Sequence, residues 1–178
     1  MLFRGMRLGL RVVGARPACR PRRYSNPAGL TVTINRVAPE ATLGVREAVL
    51  WPGRPDMCWL AEDIYGLHLA ATLGDDQVIG VVSLFVDGAA ARFRKFAVLE
   101  AHRGAGVGSR LLQAAEAEAA SAGAAHIDCD ARAEMAAYYE KRGYAAEGPP
   151  FAKYEGSEQL YATMRKPLDA DEAPCVKL

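Results

Sequence analysis

The sequence predicts an α/β fold: one mixed, mostly antiparallel, twisted sheet of about seven strands, with helices on both faces. Three observations predict it. Residues 66–73, 77–86 and 92–98 are rich in apolar and β-branched side chains and are joined by the short turns Gly74-Asp75-Asp76 and Asp87-Gly88, which makes an antiparallel meander. Two helical runs follow, 106–122 and 132–142, each stopped by a glycine, Gly123 and Gly143. A further strand, 125–129, lies between those helices, and a chain of 178 residues with 51% hydrophobic and 24% charged side chains suits one domain with an ordinary core.

The remaining elements follow from their patterning. Residues 30–37, Leu-Thr-Val-Thr-Ile-Asn-Arg-Val, alternate apolar and polar and read as the first strand. Pro39 and Glu40 open a helix to about Leu50, with Leu43, Val45, Val49 and Leu50 as its apolar residues. Trp51-Pro52-Gly53-Arg54-Pro55-Asp56 then breaks regular structure, and the stretch to Asp63 reads as an aromatic-bearing, partly helical excursion. In the long helix Val107, Leu111, Leu112 and Ala115 share a face. Tyr144 begins a sixth strand, and after the turn Glu155-Gly156-Ser157 residues 159–164 form the last. No apolar run approaches the roughly 20 residues needed to cross a bilayer.

The formal charge of +1 hides an asymmetry. Residues 1–24 hold seven arginines and no acid; without those seven, 15 basic residues face 21 acidic ones, a net charge of −6. Leu2, Phe3, Met6, Leu8, Leu10, Val12 and Val13 can form one face of an amphipathic helix that Pro17 and Pro21 would end. This composition reads as a mitochondrial transit peptide over 1–24. Arg22-Arg23-Tyr24-Ser25 resembles the site cut by the mitochondrial processing peptidase, so the mature start is expected near Ser25, in the matrix. The competing readings are a basic arm for nucleic acid, which the acidic balance of the remaining chain opposes, and a chloroplast or peroxisomal address. The catalytic domain is expected over 30–168 and a flexible acidic tail over 169–178. Cys175-Val176-Lys177-Leu178 matches a prenylation box or a peroxisomal signal only weakly. Cys19, Cys58, Cys129 and Cys175 are scattered without metal-ligand spacing, so reduced thiols and no metal site are expected.

The most informative stretch is the turn Arg103-Gly104-Ala105-Gly106-Val107-Gly108-Ser109, between the meander and the long helix. A helix start there presents unpaired N–H groups and the positive end of the dipole to one point, a site for phosphate. It is not a P-loop, because it contains no lysine. A dinucleotide fingerprint misses its third glycine by one place, although Asp128 or Asp130 can serve as the downstream acid, so a nucleotide- or NAD-binding enzyme stays open.

Read as R-x-x-G-x-G, the same turn resembles the acetyl-CoA pyrophosphate motif of the GNAT superfamily of N-acetyltransferases. Tyr138-Tyr139-Glu140-Lys141-Arg142-Gly143-Tyr144, about 36 residues downstream, resembles that family's aromatic-Tyr-x-x-x-Gly-aromatic signature. The resemblance spans the whole domain and implies a GNAT-like fold and transfer of an acetyl group from acetyl-CoA to a primary amine, by direct attack and without a metal. It implies that Arg103, Gly104, Ala105, Gly106, Val107, Gly108 and Ser109 cradle the pyrophosphate. Phe96, Ala97 and Val98 would present backbone to the pantetheine arm, and Tyr139 would be the acid for the leaving thiolate. Ala133 stands where many members carry Asn, six residues before the tyrosine. Glu62, Asp63, His68, Asp87 and Glu100 are candidate bases, Arg92, Arg94 and Lys95 a basic cluster, and Trp51 and Trp59 candidate pocket walls. The partners implied are acetyl-CoA and a small-molecule or protein amine, in a monomer or homodimer. A CoA-binding module without turnover is the other alternative.

Overall fold

The computed structural model describes residues 22–25, 29, 31–74, 77–153 and 155–168. Most of the expected transit peptide, the turn at Asp75 and Asp76, and the expected tail lie outside the described residues. The strands are β1 (Arg22–Ser25), β2 (Thr31–Val37), β3 (Leu67–Leu73), β4 (Gln77–Asp87), β5 (Ala90–Val98), β6 (His126–Arg132), β7 (Ala145–Ala152) and β8 (Leu160–Pro167). The helices are α1 (Leu43–Leu50), α2 (Val107–Ser121) and α3 (Ala136–Glu140). One sheet runs in the order β1-β2-β3-β4-β5-β6-β8-β7. Every neighbouring pair is antiparallel except β5 and β6, whose parallel course requires the crossover that α2 supplies.

The sheet thus has eight strands where the sequence predicts about seven. The additional one, β1, is short and charged, and it lies across the expected processing junction. It pairs Arg22 with Ile34 and Tyr24 with Val32, and Tyr24 packs on the core. The predicted helix at 132–142 is only partly helical: β6 runs on to Arg132 and a 3-10 turn, Ala133–Met135, precedes the five-residue α3. The cross-strand ladder to β8, which pairs Ala131 with Ala162 and Arg132 with Tyr161, overrides the local helical pattern there. The helix expected from Pro39 likewise begins as a 3-10 turn, Pro39–Thr42.

Two cores sit on opposite faces of the sheet. Leu111, Leu112 and Ala115 of α2 pack with Ile79, Phe93, Ile127 and Met164, while Val45 of α1 packs with Ala70, Val81 and Ala97. Strands β3 and β4 are covered on both faces and therefore read as nearly unbroken apolar runs.

A β-bulge sets which side chains of β5 reach each face. Val82 lies opposite both Lys95 and Phe96, and Lys95 takes φ 53°, a left-handed conformation uncommon outside glycine. The extra residue sends Phe93 and Phe96 to the α2 side and Ala97 to the α1 side.

Beneath α1 an internal polar network anchors the excursion. Arg46, fully buried, donates to Asp63 Oδ2 at 2.6 Å and Oδ1 at 3.1 Å, to the Cys58 carbonyl at 2.8 Å and to Ser83 Oγ at 2.5 Å. His68 Nε2 donates to the Asp63 carbonyl at 2.8 Å, which leaves Nδ1 to meet Ser83 Oγ, also at 2.8 Å. Burial pushes the Asp63 carboxyl up, but the hydrogen bonds from Arg46 and the Leu60 N–H outweigh it and hold the group below its ordinary value. A folded pKa below the unfolded one contributes stability that is whole above about pH 4 and is lost as pH falls through the folded value. Asp63→Ala leaves a buried guanidinium unpaired and is expected to cost about 3–5 kcal/mol in urea unfolding. A loss under about 1 kcal/mol would show that the pair does not hold the excursion in place.

Candidate active site

The site begins where β5 and β6 part. Their pairing covers Ala90 with His126, Ala91 with Ile127 and Arg92 with Asp128, and no further pair occurs among the described residues. From Phe93 to Val98 the β6-facing backbone edge of β5 is therefore free of ladder partners, while its other edge continues on β4, with Ala97 opposite Val81 and Val98 opposite Gly80. Phe96, Ala97 and Val98 lie in this splayed stretch, with Ala97 directing its backbone groups to Val81 of β4 and its neighbours directing theirs away from β4.

The glycine turn closes the wide end of that wedge. Gly104 and Gly106 take φ 75° and 80°, conformations an L side chain adopts only with strain, and a Cβ at either would meet nothing within 4 Å. Gly106 is the N-cap of α2 and no side chain caps the helix, so its first N–H groups face open space. Gly108 is needed for space instead: a Cβ there would lie 3.0 Å from Tyr138 Oη and 3.2 Å from Phe96 Cζ. Ala105 leans on the core, Val107 is buried in it, and Arg103 donates Nε–H to the Val98 carbonyl at 3.2 Å, tying the turn to the end of β5.

Both tyrosines of α3 point toward this junction, at different depths. Tyr139, 8% exposed, sits between Phe93 (ring centroids 6.0 Å) and Tyr144 (5.7 Å), and its hydroxyl is hydrogen-bonded to the Cys129 thiol. Burial, with Cys129 and Tyr138 beside it, pushes the Tyr139 hydroxyl well above the ordinary phenol range. Burial and the carboxylates of Asp130 and Asp128 push the Cys129 thiol up to about 12. Cys58 is also buried and free, and its thiol is raised mainly by burial. Both are neutral at physiological pH and poor nucleophiles. Tyr138, the neighbour of Tyr139 on α3, stacks near Phe96 and its hydroxyl reaches Ser109. Arg142 lies 3.5 Å above the Tyr138 ring and also reaches Ser109. Tyr138 and Arg142 share a helix face by their four-residue spacing, but nothing local announces Ser109, 33 positions from Arg142, as their common partner.

The two arginines of the basic cluster are neutralised internally, and its lysine is held by a carbonyl and a ring. Arg92 pairs with Asp128 at 2.6 Å and Asp130 at 3.3 Å, Arg94 pairs with Glu62, and Lys95 donates to the Met57 carbonyl at 2.6 Å while lying over Trp51. Of the candidate bases, Asp63 and His68 are buried in the α1 network, and Asp87 and Glu100 are exposed at a hairpin and a 3-10 turn. Glu62 remains half-exposed beside Arg94. Trp59 is exposed and Trp51 half-buried, both on the excursion. Among the described residues no helix is long and apolar enough to cross a membrane.

Gly106→Ala is expected to cost about 1–2 kcal/mol, the penalty of a left-handed residue with a Cβ, read as a lower Tm. An unchanged Tm would mean that the turn relaxes freely and is not a fixed cradle.

Residues 55–146 match the family model described as the acetyltransferase (GNAT) domain. The chain is 29% identical over 127 residues to the uncharacterized N-acetyltransferase YitI of Bacillus subtilis, covering 66% of this chain and 85% of that one. A crystal structure of a candidate N-acetyltransferase from Lactobacillus plantarum superimposes with a TM-score of 0.69 at 25% identity, over 77% of this chain and 98% of that one. An IAA acetyltransferase from Bacillus cereus, at 20% identity and a TM-score of 0.63 over 77% of this chain and 99% of that one, shares the fold. With the splayed strands, the glycine turn and the tyrosine helix in the order of that family, the chain belongs to the GNAT acetyltransferases and is an N-acetyltransferase.

Proposed function

We propose that the donor is acetyl-CoA, that its pyrophosphate binds the turn from Arg103 to Ser109, and that the acceptor is a primary amine attacking it directly in a ternary complex. The observation that carries this reading is the uncapped N-terminus of α2, with two left-handed glycines before it, opening onto the free edge of β5. A phosphate meets backbone N–H groups and the positive end of a helix there. Along Phe96, Ala97 and Val98 the backbone groups that point away from β4 suit an extended amide-bearing arm, much as a strand accepts a new neighbour. Acetyl-CoA supplies an activated thioester. The amine nitrogen would bond to its carbonyl carbon as the C–S bond breaks; the nitrogen would release one proton to solvent, and the departing sulfur would take one from a donor that solvent reprotonates.

Tyr139 is the proposed proton donor. Its hydroxyl is protonated at working pH, as a proton donor must be, while burial and Cys129 make it a weaker acid than a free phenol. Direct attack is favoured over a covalent enzyme intermediate because the thiol beside Tyr139, Cys129, is itself held neutral. The amine faces the α1 side, near the excursion and Glu62.

The mitochondrial matrix is the proposed location, on the composition of residues 1–24. N-terminal sequencing of the mature protein tests it. A start near Ser25 agrees with the expected junction and leaves only the last residue of β1, whereas an intact Met1 in purified matrix protein would rule out cleavage.

Acetyl-CoA is expected to raise Tm where NAD and ATP do not; stabilisation by NAD instead would overturn the donor assignment. Across a panel of amines, thiol release should rise with pH toward the amine pKa of about 10, because only the neutral amine attacks. Tyr139→Phe should lower kcat by roughly 10²-fold with little change in KM for acetyl-CoA. An unchanged kcat would remove Tyr139 from the chemistry. If no amine yields CoA from pure protein, the binding-module reading gains.

A further inference from the structure

Arg142 stands in an electrostatic position that the protein by itself does not explain. Its Nη2 donates to Ser109 Oγ at 2.7 Å and its Nε points at the same oxygen at 3.3 Å, so the guanidinium lies against the first turn of α2. That is the positive end of the helix dipole, where a cation is disfavoured and an anion favoured. None of the ion pairs among the described residues gives Arg142 a carboxylate, whereas Arg92, Arg94, Lys153, Arg165 and Lys166 of the sheet each have one. Only Nη1 has a purely structural partner, the Tyr138 carbonyl at 2.6 Å near the end of α3. The side chain is nonetheless held firmly, with its plane 3.5 Å from the Tyr138 ring and the Tyr138 hydroxyl on the same serine. Of its five N–H donors, hydrogen bonds among the described residues occupy three and crowd two of them onto one oxygen. A fixed, half-buried, unpaired guanidinium with spare donors, beside uncapped helix N–H groups, is complementary to a phosphate.

We infer that Arg142, held by Tyr138 and Ser109, binds a phosphate group of the CoA donor and adds a second guanidinium to that of Arg103 at the lysine-free glycine turn. The inference rests on the donor assignment above. CoA offers this chemistry from two places, the diphosphate and the ribose 3′-phosphate. Tyr138 acts as a positioning residue, because its ring and hydroxyl fix the guanidinium.

Calorimetric Kd values for CoA and dephospho-CoA, with wild type, Arg142→Gln and Arg142→Lys, test this. A parallel arm compares kcat/KM with acetyl-pantetheine, which has no phosphate. Arg142→Gln should weaken CoA by roughly ten- to a hundredfold, the range of a charge-assisted hydrogen bond. Arg142→Lys should lose less, and acetyl-pantetheine turnover should be the same in wild type and both variants. Equal weakening with CoA and dephospho-CoA identifies the diphosphate; weakening confined to CoA identifies the 3′-phosphate. An equal loss with acetyl-pantetheine would make Arg142 a structural prop and overturn the inference, as would unchanged affinity for CoA. If wild type binds no CoA, the donor assignment fails first and takes this inference with it. If wild type binds and Arg142→Gln binds equally, only the role of Arg142 fails.

Discussion

Three residue pairs join β5 to β6, and the candidate site opens where the pairing stops. A parallel ladder carried further would satisfy the β6-facing edge of β5 and leave no backbone to receive a ligand. Stopping it leaves backbone groups on that edge that water or a ligand must satisfy, beside the aromatic cluster of Phe93, Tyr139 and Tyr144. The β-bulge at Lys95 belongs to the same construction. Without the extra residue Phe96 would turn toward α1, and Tyr138 would lose the ring it packs on.

Charge is distributed unequally about this wedge. On the α1 side Arg92, Arg94 and Arg46 are all paired with carboxylates, and the deepest pair, Arg46–Asp63, has no solvent exposure on either side chain. Such a pair contributes little net stability against an apolar substitute, yet removing one partner is costly, so it acts as a fixed joint between α1, the excursion and the sheet. On the α2 side the balance is reversed: backbone N–H groups at the helix start and the Arg142 guanidinium face the same space without a carboxylate. One wall pairs its arginines with carboxylates, and the other leaves the Arg142 guanidinium without one.

Most of the fold was legible because its signals are local. Alternation, the Asp87-Gly88 hairpin and the glycine stops at Gly123 and Gly143 each report on a few consecutive residues. The misjudged elements are those where distant partners outvote local pattern. Residues 132–135 have helical composition, but the ladder to β8 draws Arg132 into β6 and leaves a 3-10 turn behind it. Strand β1 is four residues of mostly charged sequence that β2 recruits, and no periodicity could reveal it.

For the site, the sequence by itself determined the backbone chemistry: positive φ at Gly104 and Gly106, the helix start after them, and a tyrosine on a downstream helix, because glycine spacing and helix phase are properties of neighbouring residues. Tertiary structure alone decided the depth of each group and its company. Tyr139 is sealed against Cys129, Tyr138 and Arg142 meet Ser109, Gly108 is small to admit Tyr138, and the two arginines of the basic cluster on β5 are already neutralised. Apart from Tyr139 and Cys129, which lie on neighbouring elements, these depend on contacts across roughly thirty or more positions of sequence, which only the packing of the helices and the excursion on the splayed sheet brings together.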